Sequence, residues 1–128
     1  MVNILFWLFV LAFDLLLPVV MIFFGREFMK NPPAEINPGY GYRTAMSSKN
    51  QDTWDFAQRK MGEVWYKWGK ILLIPSVLPL LLVLGRDVGT VGKVGMIACG
   101  AQLVVMLGSI LVVERALRKT FDKNGNRL

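Results

Sequence analysis

The sequence contains no histidine and a single cysteine, Cys99. The commonest general base and the commonest metal ligand are therefore missing, and no internal disulfide can form. A zinc protease or a Ser-His-Asp hydrolase does not fit, and we expect no enzyme, no metal site and no cofactor. Charge is also scarce: 19% of the 128 residues are charged against 54% hydrophobic, and the charges are excluded from three long apolar stretches. No lysine or arginine precedes the first stretch, and Gly25-Arg26-Glu27 rather than a small-residue cleavage site follows it. That excludes a cleaved signal peptide and predicts a retained anchor. There is no internal repeat and no low-complexity tract.

The apolar stretches define the expected fold, a single all-α integral membrane domain over residues 1–128. It has three transmembrane helices and a cytoplasmic amphipathic interfacial helix. A span needs roughly 20 apolar residues to cross about 30 Å of hydrocarbon. The first, about 2–25, exceeds that length, and the third, about 91–113, reaches it if Lys93 snorkels to the interface. The second, about 70–85, is short and needs Trp65, Tyr66 and Trp68 to extend it through the interfacial aromatic belt. Pro75 and Pro79 are expected to kink it. A motif loop and amphipathic helix occupy about 26–69, and a tail occupies 114–128.

Basic residues set the orientation. Eight (Arg26, Lys30, Arg43, Lys49, Arg59, Lys60, Lys67 and Lys70) lie between the first two spans and five (Arg115, Arg118, Lys119, Lys123 and Arg127) follow the third, leaving only Arg86 and Lys93 in the other loop. The amino terminus is thus expected outside and the motif loop and tail inside. This topology and attraction to anionic lipid account for the net charge of +6 better than direct binding of nucleic acid does.

The most specific segment is NPGYGYRTAMSSKNQDTWDFAQRKMG, from Asn37 to Gly62. Asn31-Pro32-Pro33 and Asn37-Pro38-Gly39 are turn formers that break the path leaving the first span. Ser48 with Gln51 fits a capping box, and Asn50 is an equally good cap for a helix that begins near it. Along that helix Trp54, Ala57, Met61, Val64, Trp65 and Trp68 make one apolar stripe opposite Asp52, Asp55, Arg59, Lys60 and Glu63. Such a helix either anchors in the headgroup layer or also shapes a site with Gly41–Thr44. Arg43 offers a planar fork of donors suited to a lipid phosphate or a peptide carboxylate, with Thr44 and Ser47 as further donors. In the competing reading it pairs with Asp52, Asp55 or Glu63 and locks the loop to its helix.

Gly41-Tyr42-Arg43-Thr44, followed by Ser47, Asn50 and Trp54, resembles the signature of the SdpI family, membrane proteins named for immunity to a sporulation-delaying peptide toxin. The resemblance extends to Asn37, to Thr53-Trp54-Asp55-Phe56-Ala57 and to Gly62, and covers roughly Asn31 to Val113. It implies a short form carrying only the signature-bearing module, in a bacterial cell membrane. There it would confer immunity to, or sense, a membrane-active antimicrobial peptide. The partners it implies are membrane lipids, a peptide toxin and a cytoplasmic transcriptional repressor.

Asp14, Ser76 and Gln102 fall near the centres of the three spans, at one depth. A carboxylate there costs about 3 kcal/mol on insertion scales, so Asp14 should face the bundle and find partners. The trio is either an interhelical hydrogen-bonded lock or a proton or ligand site. The second alternative leaves room for a small transporter or lipid-handling protein. Gly85, Gly89, Gly92, Gly95, Gly100 and Gly108 gather around the outer loop and third span, where small residues let helices approach closely, and a homodimer is one way to use them.

Overall fold

The computed structural model describes residues 2–128 and contains three helices: α1 (Val2–Lys30), α2 (Gln51–Leu82) and α3 (Val88–Thr120). Among the described residues there is no strand, only an isolated bridge between Phe121 and Arg127. The chain is all-helical, with two helices long and apolar enough to cross a membrane, Asn3–Lys30 and Val88–Thr120.

Each helix outruns its apolar stretch. Where an amphipathic segment and a separate short span were expected, α2 is one uninterrupted helix of 32 residues. Gly69 is the one helix-weakening residue between Trp68 and Ile71, and it does not stop the helix because it packs against the Pro18 carbonyl of α1. It also continues through Pro75 and Pro79, because each proline withdraws a single donor while the turns on either side hold. The start of α2 is set by Asn50, whose side chain accepts from the Thr53 amide at 2.9 Å while the Thr53 hydroxyl accepts from the Asn50 amide at 3.1 Å. This reciprocal box uses Asn50 and Thr53 in place of the Ser48–Gln51 pairing that the sequence also offered. Asp87 caps α3 through the Thr90 amide at 3.2 Å, and Arg118 and Lys119 lie in its last turn, where cations suit the helix dipole.

α1 and α2 run antiparallel at backbone contact. A Cβ on Gly25 would lie 2.4 Å from the Tyr66 nitrogen, one on Gly62 would lie 2.8 Å from the Gly25 carbonyl, and one on Gly69 would lie 2.9 Å from the Pro18 carbonyl. Only glycine permits this approach. At the other end of the pair the Trp7 indole donates to the Leu80 carbonyl at 2.7 Å, satisfying an acceptor in the last turn of α2.

Two apolar clusters result. One, at the end carrying the long 31–50 loop (the loop end), joins Phe28, Tyr42, Ala57, Met61, Val113, Leu117 and Phe121. The smaller, at the end carrying the tight 83–87 turn (the turn end), joins Trp7, Val10, Leu80 and Val91. Elsewhere the helices point large apolar side chains outward, including Leu82 at 76%, Met96 at 77% and Leu111 at 71% exposure. Surfaces of that kind suit hydrocarbon rather than water.

Candidate functional site

The loop closes the bundle at the loop end, and its turns follow from its short polar side chains. The Asn37 carboxamide oxygen accepts from the amides of Gly39 and Tyr40 at 3.0 and 2.7 Å, an Asx turn of the kind asparagine favours. Gly41 follows with φ +107°, a conformation suited to glycine. A side chain there would also strike the Gln58 amide oxygen at 2.7 Å. Thr44 and Ser47 then wrap a tight turn: the Ser47 hydroxyl accepts from the Thr44 amide at 2.8 Å, and the Thr44 hydroxyl accepts from the Ser47 amide at 3.2 Å.

Gln58, fully buried on α2, reads the loop backbone as a strand partner would. Its carboxamide oxygen accepts from the Tyr42 amide and its NH2 donates to the Tyr42 carbonyl, each at 2.7 Å. The Tyr42 hydroxyl donates to a Glu114 carboxylate oxygen on α3 at 2.7 Å. Burial first, and then the hydrogen bond and charge of Glu114, push the tyrosine well above its usual range, so it remains a donor at neutral pH. Trp54, also fully buried, donates its indole N–H to the Pro33 carbonyl at 2.8 Å. These bonds pin both flanks of Gly41–Thr44 onto the helices.

Beneath the pinned loop is a cavity of about 430 Å³ between all three helices. Phe24 and Phe28 of α1, Met61 and Trp65 of α2 and Ile110 of α3 form its apolar body, and Gly41–Thr44 form its rim. Trp65 is held toward α3 by donating to the Ser109 hydroxyl at 3.0 Å. Arg43 lies exposed at the rim, its guanidinium bonded to the Pro38 carbonyl of its own loop. It makes no ion pair with Asp52, Asp55 or Glu63, so the expected clasp is not formed. Asp52 instead pairs with Arg127 at 2.8 Å, and Asp55 accepts from Gln51 at 2.7 Å. An apolar slot with a cation and a hydroxyl at its mouth fits an amphiphile with an anionic or carboxylate end.

The motif thus divides by task. Gly41, Tyr42, Arg43 and Thr44 line the cavity, whereas Asn37, Ser47, Asn50 and Trp54 build the loop around it and Gly62 sits in the α1–α2 contact. Gln58 and Glu114 escaped the sequence reading. Gln58 had a signal: four residues after Trp54 and three before Met61, it is a carboxamide on an otherwise apolar stripe. The tail was missed too. Residues 121–128 turn back onto the loop, where the Asn50 side chain donates to the Gly125 carbonyl at 2.7 Å. Gly125, at φ +85°, would bring a Cβ to 2.6 Å from that nitrogen.

The mid-bundle trio does converge. The Gln102 NH2 donates to the Ser76 hydroxyl at 2.8 Å and to the backbone carbonyl of Asp14 at 2.6 Å, and the Ser76 hydroxyl donates to the Leu72 carbonyl at 2.7 Å. One carboxamide ties three helices. The bond to Asp14 uses its backbone, leaving the carboxyl group outside this lock.

No curated protein and no solved structure matches the chain. Residues 34–113, which hold most of the loop, all of α2 and most of α3, match the SdpI/YfhL protein family. That stretch is 80 of the 128 residues and contains every rim residue of the cavity, and on it the chain belongs to the SdpI/YfhL protein family.

Proposed function

We propose that the protein crosses a bacterial cell membrane three times, amino terminus outside, with its loop and tail cytoplasmic, and that it confers immunity to, or senses, a membrane-active peptide. The observation that carries this reading is the cavity under Gly41–Thr44: an apolar slot among three helices, with the exposed Arg43 at its mouth bonded to a loop carbonyl and not to any acid among the described residues. The outward apolar face of α2, with Ile74 at 67% and Leu82 at 76% exposure, supports its distal half as the second span. The eight basic residues between the apolar stretch of α1 and the apolar half of α2 support the orientation.

The test is a challenge of cells carrying the wild type, Arg43→Ala or empty vector with the sporulation-delaying toxin and a panel of other membrane-active peptides. Arg43 is exposed and its one hydrogen bond among the described residues is to the Pro38 carbonyl of its own loop, so Arg43→Ala should fold normally yet lose most of the protection. Survival of the wild type no better than empty vector across the panel would defeat the proposal. A transporter or lipid-handling role is the competing reading, and flux or lipid scrambling in proteoliposomes above protein-free controls would favour it.

A further inference from the structure

At the turn end, α1 and α3 touch where Val10 meets Gly95 and leave a groove of about 440 Å³ alongside that contact. Phe6, Phe9 and Phe13 form one wall and Gly92, Cys99 and Gly100 form part of the other. Asp14 lies at its deep end, 1% exposed, with carboxylate Oδ2 lacking a hydrogen-bond donor among the described residues. That oxygen lies 3.6 Å from the position a Cβ on Gly95 would occupy, so it points toward α3 at the Gly95 side of the groove that both residues line. Gly95 itself is consumed by α1, since its Cβ would meet Val10 at 2.4 Å. Gly100 is open, with nothing within 4 Å of where its Cβ would stand, so another backbone can approach there.

We infer that this groove docks a transmembrane helix of a different chain carrying one basic side chain near its midpoint. An acceptor walled by hydrocarbon calls for a donor, and a carboxyl group at that depth is best matched by a cation. Asp14 is about 18 Å along α1 from Val2 at 1.5 Å per residue, near the helix midpoint. Lipid amines reside at the headgroups and do not reach it. A second copy of this chain brings no suitable charge either: residues 3–25, 71–85 and 94–113 contain no lysine or arginine. A foreign helix with a central lysine or arginine supplies both the apolar rod and the donor. The site is separate from the cavity under the motif loop and stands whether or not that cavity binds a peptide.

The probe is a leucine-rich 21-residue peptide with photoreactive leucines flanking one central lysine, incorporated with the wild-type protein into phosphatidylcholine vesicles. A central-leucine peptide is the control. The lysine peptide should give about tenfold more adduct on residues 3–17 and 88–103 than the leucine peptide, the worth of one charge-assisted hydrogen bond. Asp14→Asn, with helicity checked by circular dichroism, should remove that difference. Gly100→Phe, which fills the groove from an open position, should abolish labelling with Asp14 intact. Equal labelling by the two peptides, labelling confined to other segments, or unchanged labelling in Asp14→Asn overturns the inference.

Discussion

At the loop end of the bundle, a carboxamide, a tyrosine and a tryptophan reach across 16 to 72 residues of sequence to satisfy backbone and carboxylate groups, and α1 meets α2 at backbone contact through Gly25 and Gly62. At the turn end Trp7 still bonds α2 and Val10 still meets Gly95 of α3, but a buried carboxylate oxygen has no donor among the described residues, and Gly85 and Gly100 face open space. One end is preorganised around a cavity with a charged rim, while the other presents an incomplete interface. The contrast teaches that glycine content alone does not report packing: Gly25 and Gly100 are both helical glycines, and only the first has a neighbour that needs it.

The sharpest way to break this comparison is to add the same methyl group at each end. Gly25→Ala would force α1 from α2 against backbone atoms that cannot turn aside, and should cost about 3 kcal/mol, at the upper end for overpacking. Gel-filtration thermal stability in detergent should fall sharply. A Gly25→Ala protein as stable as wild type would show that the helices do not touch as described.

The second largest effect is expected at Gln58. Gln58→Leu keeps the bulk on α2 but leaves the Tyr42 amide without a partner and its carbonyl with only the Ser47 hydroxyl at 3.2 Å, about 1–3 kcal/mol while the amide stays buried. Because those bonds hold the cavity rim, limited proteolysis should begin within residues 38–46 before any other region yields. Unchanged protease resistance would mean that the loop is held by the turns of Asn37, Thr44 and Ser47 alone.

Gly100→Ala is the matching experiment at the turn end and should be close to neutral or gain up to about 1 kcal/mol from helix propensity. A loss like that of Gly25→Ala, in the same thermal assay, would mean that α3 is already packed there and would remove the contrast.

The smallest effect concerns the folded-back tail and depends on pH. Asp122 accepts from the amides of Asn124 and Asn126 at 2.9 and 3.0 Å, and these bonds, that to Asn126 foremost, hold its carboxyl below the usual aspartate range. A lowered carboxyl contributes stability above its unfolded value and loses it as pH falls through the folded one. The tail should therefore stay docked from neutral pH down to the ordinary aspartate value of 3.8 and detach only below it. Hydrogen exchange of the Gly125 and Asn126 amides would follow this, and release already at pH 6 would contradict it.

Much of the architecture was legible because it is written in short-range patterns. The two long apolar runs, the cap at Asn50 and the turn at Asn37-Pro38-Gly39 each depend on residues within a few positions of one another, and all appear in the structure. The continuity of α2 is not legible because its polar and apolar halves look like two objects joined at Gly69, and only the structure shows that this glycine serves contact with α1 rather than a helix end. For Arg43 the sequence leaves two readings open, a ligand's anion or an ion pair with Asp52, Asp55 or Glu63. The structure gives Asp52 to Arg127, 75 residues away, and turns Arg43 to its own loop.

The sequence by itself determined that this chain is helical and rich in lipid-suited surface, which family it belongs to, and which residues form the loop. Hydrophobicity, capping and turn chemistry act locally and leave a local record. Only the tertiary structure decided which glycines are contacts and which are openings, that Gln58 and Glu114 hold Tyr42, and that Gln102 locks the bundle through the backbone of Asp14 while its carboxyl group stays unclaimed. Those outcomes depend on how helices far apart in sequence meet, and the distance between two groups is a property of the fold, not of the spacing between their letters.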